Sequence, residues 1–386
     1  MSCVGMAVAL LAVAADVGEG LQRVKVAASG AAAHDAEPPT ASSILKMSGA
    51  ELGAAVAKWA ADADFKHKGV LFMRVSLFGA VATGTQELDA FVEAVDGQAL
   101  PALINAATTL TCFEQDVSNI PPGMLVQGAL TALGTLATGG SAGLEWKESA
   151  AGLSRCTHLA DLGALNATVH AMNAAGLDAT ECAQAWDIQR AGIHVIKSVC
   201  LGHDGKEGLG LPRDATESEA MAGLPSEASL RREAATAAGA IEAIIRVFEG
   251  MRDCVKCGLK KKEARFLLDM ALRALQRVTL GYEAAGSTRR ARAAAAQAIP
   301  AMVGALDKVF SKDLMQQAVT TNSILMGGGD GKVDKVLDRQ WQDEIAKRPL
   351  LEAKMQQVMH ELYMEDPEKV RKAHEQAGVP LGDSAD

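Results

Sequence analysis

Aromatic residues are scarce in this 386-residue chain, at 4%, while alanine and glycine abound. Alanine is the best helix former and lets helices approach closely, so the composition points to an all-α fold. An excess of basic charge is also missing. Lys and Arg number 38 against 47 Asp and Glu, giving a net charge of -9 and a pI near 5.5. Neutralising a phosphate backbone needs a broad cationic surplus, so no nucleic-acid partner is expected. The seven cysteines are odd in number and follow no framework of spacings, which reads as thiols kept reduced inside a cell. The eight histidines show no His-Glu-x-x-His or other paired metal spacing, so no metal and no cofactor are expected. A membrane span, which needs about 20 apolar residues, is absent as well. With 49% hydrophobic and 22% charged residues, the chain still has ample material for a core.

The longest apolar run, Val4 to Ala15, is followed by Asp16 and has no Lys or Arg before it. It reads either as a targeting segment or as a helix running on to Val26, so residues 1–27 form a first region. Residues 28–43 are small and polar, carry Pro38-Pro39, and read as a linker. Beyond it one pattern returns five times. Steps of 3, 4, 7 and 10 from Leu52, Leu100, Leu165, Ile241 and Ile299 meet apolar residues almost throughout, Asp62 and Thr168 being the exceptions. That period places each set on one helical face. Small residues precede the anchors, as in Gly163-Ala164-Leu165, Gly239-Ala240-Ile241 and Gln297-Ala298-Ile299-Pro300, where a tight turn can deliver one helix into the next.

A second helix type ends at a glycine between the anchors: Val70 to Gly84, Met124 to Gly139, Ile188 to Gly202, Phe266 to Gly281 and Leu314 to Gly327. A glycine there can take the left-handed conformation that stops a helix. The stretch 204–229, rich in Gly and Pro, reads as an inserted surface loop. After Gly331 the composition turns to charged helix formers, and residues 332–386 read as a helical cap and tail on a repeat domain spanning 44–331.

Ala-Leu-x-x-Leu/Val-x-x-Gly closing one helix and Gly-Ala-Leu/Ile-(Pro) opening the next resemble armadillo-type repeats. The resemblance covers roughly residues 49–330 and is best from Ala271 to Leu306. Anchor spacings of 48, 65, 76 and 58 exceed the roughly 40–47 residues of the family, which implies insertions or degenerate repeats. The resemblance implies a right-handed α-α superhelix, an armadillo-like solenoid with irregular repeats, in which the anchored helices line a concave face. It places Asn105, Asn166, His170, Asn173, Arg246, Glu249 and Lys308 beside the buried stripe as partner-binding residues. Asn side chains there can bond both the N–H and the C=O of an extended peptide. The Trp-x-x-x-Asn ladder of the family's nuclear-import receptors is missing, so import cargo is not implied.

Motifs that would signal catalysis fail on context. Cys254-Val-Lys-Cys257 has the spacing of half a zinc site or of a redox pair, but no second ligand pair stands near in sequence and no βαβ context surrounds it. Gly139-Gly-Ser141-Ala-Gly143 matches a nucleophile elbow but follows a helix rather than a strand. Gly327 to Lys332 lacks the first Gly and the Ser or Thr of a phosphate loop. Lys260-Lys-Lys262 and Arg289-Arg290-x-Arg292 read as solvated loop faces, and His194 as an interior or flank residue. The expectation is therefore a non-enzymatic intracellular scaffold for a partner protein or peptide. The alternative is a structural subunit of an organelle or membrane-associated complex docked through its N-terminal segment, itself too short to insert across a bilayer.

Overall fold

The computed structural model describes residues 37–60, 62, 64–81, 100–108, 123–138, 150–177, 184–200, 227–252, 259–281, 284–327 and 334–365. Residues 1–36 and the segment 204–226 lie outside these, as do Leu110, the cysteine pair, the Ser141 motif and most of the glycine-rich run after Gly327. Among the described residues the chain is all-α, with no strand.

The apolar periodicity becomes helices at every anchor. Leu52 sits in α2 (Gly49–Trp59), after a short α1 (Ala41–Lys46), and Leu100 opens α4 (100–108). Leu165 lies in α7 (Ala164–Ala175), Ile241 in α10 (Ala240–Met251) and Ile299 in α13 (Ala298–Val309). Ile241, Ile244, Phe248 and Met251 are wholly buried, and burying such a side chain contributes about 1.5–3 kcal/mol each. Thr168, one of the two exceptions, is buried too, because its hydroxyl donates to the Ala164 carbonyl at 2.7 Å. Asp62 falls beyond the end of α2.

The second helix type appears as α3 (Lys68–Val81), α5 (Met124–Thr138), α8 (Ala185–Val199), α11 (Lys261–Thr279) and α14 (Lys312–Met326). Three helices have no counterpart in the apolar pattern: α6 (Ala150–Asp161), α9 (Glu227–Ala237) and α12 (Ala284–Ala295). With them the described helices from α6 to α14 fall into three successive units of three, α6–α8, α9–α11 and α12–α14. In each, two residues join the first helix to the second, and the latter of the two is left-handed: Gly163 at φ 84°, Gly239 at 86° and Gln297 at 64°. Helix-terminal hydrogen bonds repeat at the three turns, such as Gly163, Gly239 and Gln297 donating N–H to Ala160, Thr236 and Ala294 at 3.0, 3.1 and 3.0 Å.

Equivalent helices of successive units adjoin. Third helices pack in the row α3, α5, α8, α11, α14; second helices in the row α7, α10, α13; first helices in the row α6, α9, α12. Helix α15 (Lys335–Ala346) lies on α13 and α14 and buries Leu337, Trp341 and Ile345, and α16 (Pro349–Glu365) packs on α15.

The first helices are held by arginine. Arg155, Arg231 and Arg289, each eight residues before the left-handed turn, are buried, as are Arg232 and Arg290. Arg231 Nε donates to the Val199 carbonyl at 2.9 Å and Nη1 to Thr157 Oγ1 at 2.6 Å. One unit on, Arg289 Nη2 donates to the Leu280 carbonyl at 2.6 Å and Arg290 Nη1 to Gly281. Val199 and Leu280 stand at the C-terminal ends of α8 and α11, where carbonyls lack intrahelical donors and the helix dipole is negative. A guanidinium answers both needs. Arg289 and Arg290 are therefore not a solvated loop face; only Arg292 of that cluster stays at the surface, donating to Glu242 at 2.6 Å.

Four boundaries depart from the sequence reading. Helix α1 starts inside the expected linker, because the Thr40 side chain accepts from the Ser43 N–H. Helix α9 starts at Glu227, inside the expected loop 204–229. Lys261 and Lys262 occupy the first turn of α11 rather than a loop. Gly327 stands at φ -63°, so α14 ends on extended backbone and not on a left-handed glycine.

Candidate protein-binding face

Each second helix buries its anchor stripe, and beside that stripe stand the residues three, seven and ten places past the left-handed turn. On α7 these are Asn166, His170 and Asn173, and all three are exposed. On α10 they are Glu242, Arg246 and Glu249, with Arg246 and Glu249 exposed and Glu242 partly buried. Because α7 and α10 adjoin, the two polar stripes meet: Arg246 Nη2 donates to Asn173 Oδ1 across the unit boundary. Glu242 accepts from Arg292, which ties the same stripe to α12. Among the described residues Asn166, His170 and Glu249 have no side-chain hydrogen bond or ion pair.

The stripe changes character on α13. Gly304 takes the place that His170 and Arg246 hold on their helices, and it is buried beneath the stem of Arg252. A Cβ at Gly304 would lie 3.1 Å from the Arg252 Cδ, so any side chain here would push the arginine aside. Lys308 is exposed, and Asp307 lies 3.6 Å from its Nζ. Asn105 is exposed on α4. Of the seven residues singled out from sequence, then, the structure joins Asn173 to Arg246 directly and places Asn166, His170 and Glu249 on the same two helices. Asn105 and Lys308 belong to other helices. Sequence reasoning passed over Glu242 and Arg252 and read Arg292 only as part of a solvated loop face; the register of Gly304 against His170 and Arg246 is the available signal for Arg252.

The side chains gathered on this face offer hydrogen bonds and charge. The described cysteines, Cys156 and Cys200, are buried, and burial pushes the Cys200 thiol up to about 12, so it stays protonated. The Cys156 thiol points to the carbonyls of Ala137 and Ser198, at 3.5 Å each. His194 is partly buried against Gly134, as an interior flank residue should be. Among the described residues no three His, Cys, Asp or Glu side chains converge as a metal site, and no helix is long and apolar enough to cross a membrane.

No family model matches the chain, and no curated protein matches it. Among solved structures it is similar to the crystal structure of an engineered protein, a Northeast Structural Genomics Consortium target. The two share 15% identity at a TM-score of 0.50, over 85% of this chain and 96% of the other. The likeness is one of fold alone.

Proposed function

We propose that this chain is a non-enzymatic, intracellular α-solenoid of the armadillo type that holds another protein or peptide on the face formed by its second helices. The observation that supports this reading is the Arg246–Asn173 bond between successive units, flanked by Asn166, His170 and Glu249, which have no side-chain partners among the described residues. An arginine held by one hydrogen bond keeps other donors for a ligand carboxylate, and its orientation is already fixed. Asparagine amides beside it offer a donor and an acceptor to a backbone. Such a row of like helices cannot bury its stripes except by stacking, and stacked units present one long surface suited to partners rather than a closed pocket.

The test is partner capture from the native source, read by mass spectrometry. Arg246→Glu combined with Asn166→Ala and His170→Ala should abolish capture of the partner that the parent protein holds, with unchanged helicity and melting. Retention of that partner by the triple variant overturns the assignment of this face.

A further inference from the structure

We propose that the edge where α10 ends, α11 begins and α13 ends is a second docking surface, fitted to an acidic segment of a partner protein that also carries apolar residues. The surface is assembled by contacts on three sides. Arg265, in the second turn of α11, donates from Nε to the Val309 carbonyl at 3.1 Å and from Nη2 to Phe310 at 2.7 Å, which fixes the start of α11 beside the end of α13. Arg252, at the end of α10, lays its stem over Gly304 of α13. Lys354 of α16 sits 5.6 Å over the Phe310 ring.

This arrangement gathers Arg252, Lys260, Lys261, Lys262, Lys308 and Lys354, all exposed, in a chain whose net charge is -9. Among the described residues Arg252 and the three lysines at the start of α11 have no acidic partner. Glu263 is engaged with the backbone N–H of Lys260 at 3.3 Å, and Asp307 lies 3.6 Å from Lys308. Asp313 is an acid at the start of α14. The lysines at the start of α11 also stand where the helix dipole is positive, an arrangement that opposes stability and that a bound carboxylate would relieve.

Two features decide what fits. Leu350 is 76% exposed and one helical turn from Lys354, whose Nζ lies over the Phe310 ring, so the cationic edge has an apolar spot beside it. The rest of the chain carries the negative surplus, so the cationic charge is local to this edge. A short acidic segment matches it, because screening confines the interaction to about 8 Å at physiological salt.

The inference does not depend on the second-helix face binding anything, and its test leaves Asn166, His170 and Arg246 intact, so the two readings fail separately. The probe is a fluorescein-labelled peptide of alternating Glu and Leu, compared with its Gln-and-Leu counterpart by fluorescence anisotropy on the full chain. The Glu peptide should bind about tenfold tighter than the Gln peptide, and the preference should fade as salt rises. Lys260→Gln, Lys261→Gln and Lys262→Gln together with Arg252→Gln should remove it, while Leu350→Ser should weaken both peptides; melting curves check that each variant folds. Equal binding of the two peptides, or a preference unchanged in the quadruple variant, overturns the proposal. So does tighter binding of phosphatidylserine vesicles or of a DNA duplex than of the Glu peptide, if the same variant abolishes it.

Discussion

Lys260 to Lys262 and Arg289 to Arg292 are both short basic runs, and in sequence they look alike. In the folded chain they are opposites. The three lysines are exposed at the positive end of α11, whereas Arg289 is 1% exposed, with its guanidinium in the layer between α11 and α12. The difference follows from the side chains. A planar guanidinium can divide its donors among fixed acceptors and is weakly hydrated, so it can be buried against helix-terminal carbonyls. An ammonium is a strongly hydrated point charge, and here it stays in water. Charge runs are thus read correctly only after asking what acceptors the neighbouring helix ends leave open.

The largest effect that would break this comparison is at Arg289. Replacing it with Met keeps much of the stem but leaves the Leu280 carbonyl without its donor, and should lower stability by about 2–4 kcal/mol. Arg289→Lys should recover only part of that, because an ammonium cannot serve both Leu280 and Ser229 Oγ with the fork geometry. Urea unfolding with an unchanged denaturant slope reads both. A loss within about 0.5 kcal/mol, the range of an ordinary surface substitution, would place Arg289 with the lysines after all.

A smaller effect compares the three equivalent turns. Gly163 and Gly239 hold the left-handed conformation without steric conflict, whereas Gln297 holds it with a Cβ. Gln297→Gly should therefore raise stability by about 0.5–1 kcal/mol, and Gly239→Ala should lower it by about 1–2 kcal/mol. Thermal melts of the pair check the sign of each. If Gln297→Gly destabilises, the glutamine side chain contributes something at this turn that glycine cannot.

The same residues explain how far the sequence could be read. Second and third helices were legible because their cores are Leu, Ile, Val, Met and Phe at helical spacing. The first helices were not. Helix α12, Ala284–Ala295, contains no large aliphatic residue and buries Gly286, Arg289, Arg290 and Ala293. Hydrophobic periodicity cannot find a helix whose inner face is arginine and small residues, since that method assumes charge faces water. The repeat of Arg at eight residues before each turn was present in the sequence, but it acquires meaning only once the carbonyls of Val199 and Leu280 are seen to need donors. For the candidate face, periodicity placed Asn173 and Arg246 beside their own stripes. The bond between them depends on the packing of α7 against α10, which no spacing along one helix contains.

The smallest expected effect sharpens the comparison most, because it sets stability against binding at the same atoms. Lys261 and Lys262 lie in the first turn of α11, where the macrodipole favours an acid. Lys261→Glu or Lys262→Glu should each raise stability by about 0.3–1 kcal/mol at low salt, with the gain shrinking as salt screens the dipole, read by urea unfolding. The same substitutions should weaken the Glu-and-Leu peptide, since they put negative charge where its carboxylates would sit. Helices gain from acids at this end, and no packing in the described residues requires lysine there, so stability alone does not account for three lysines in a row. A variant that is more stable and binds less well would show that the exposed run answers to a partner, just as the buried arginines answer to the carbonyls of the preceding helix.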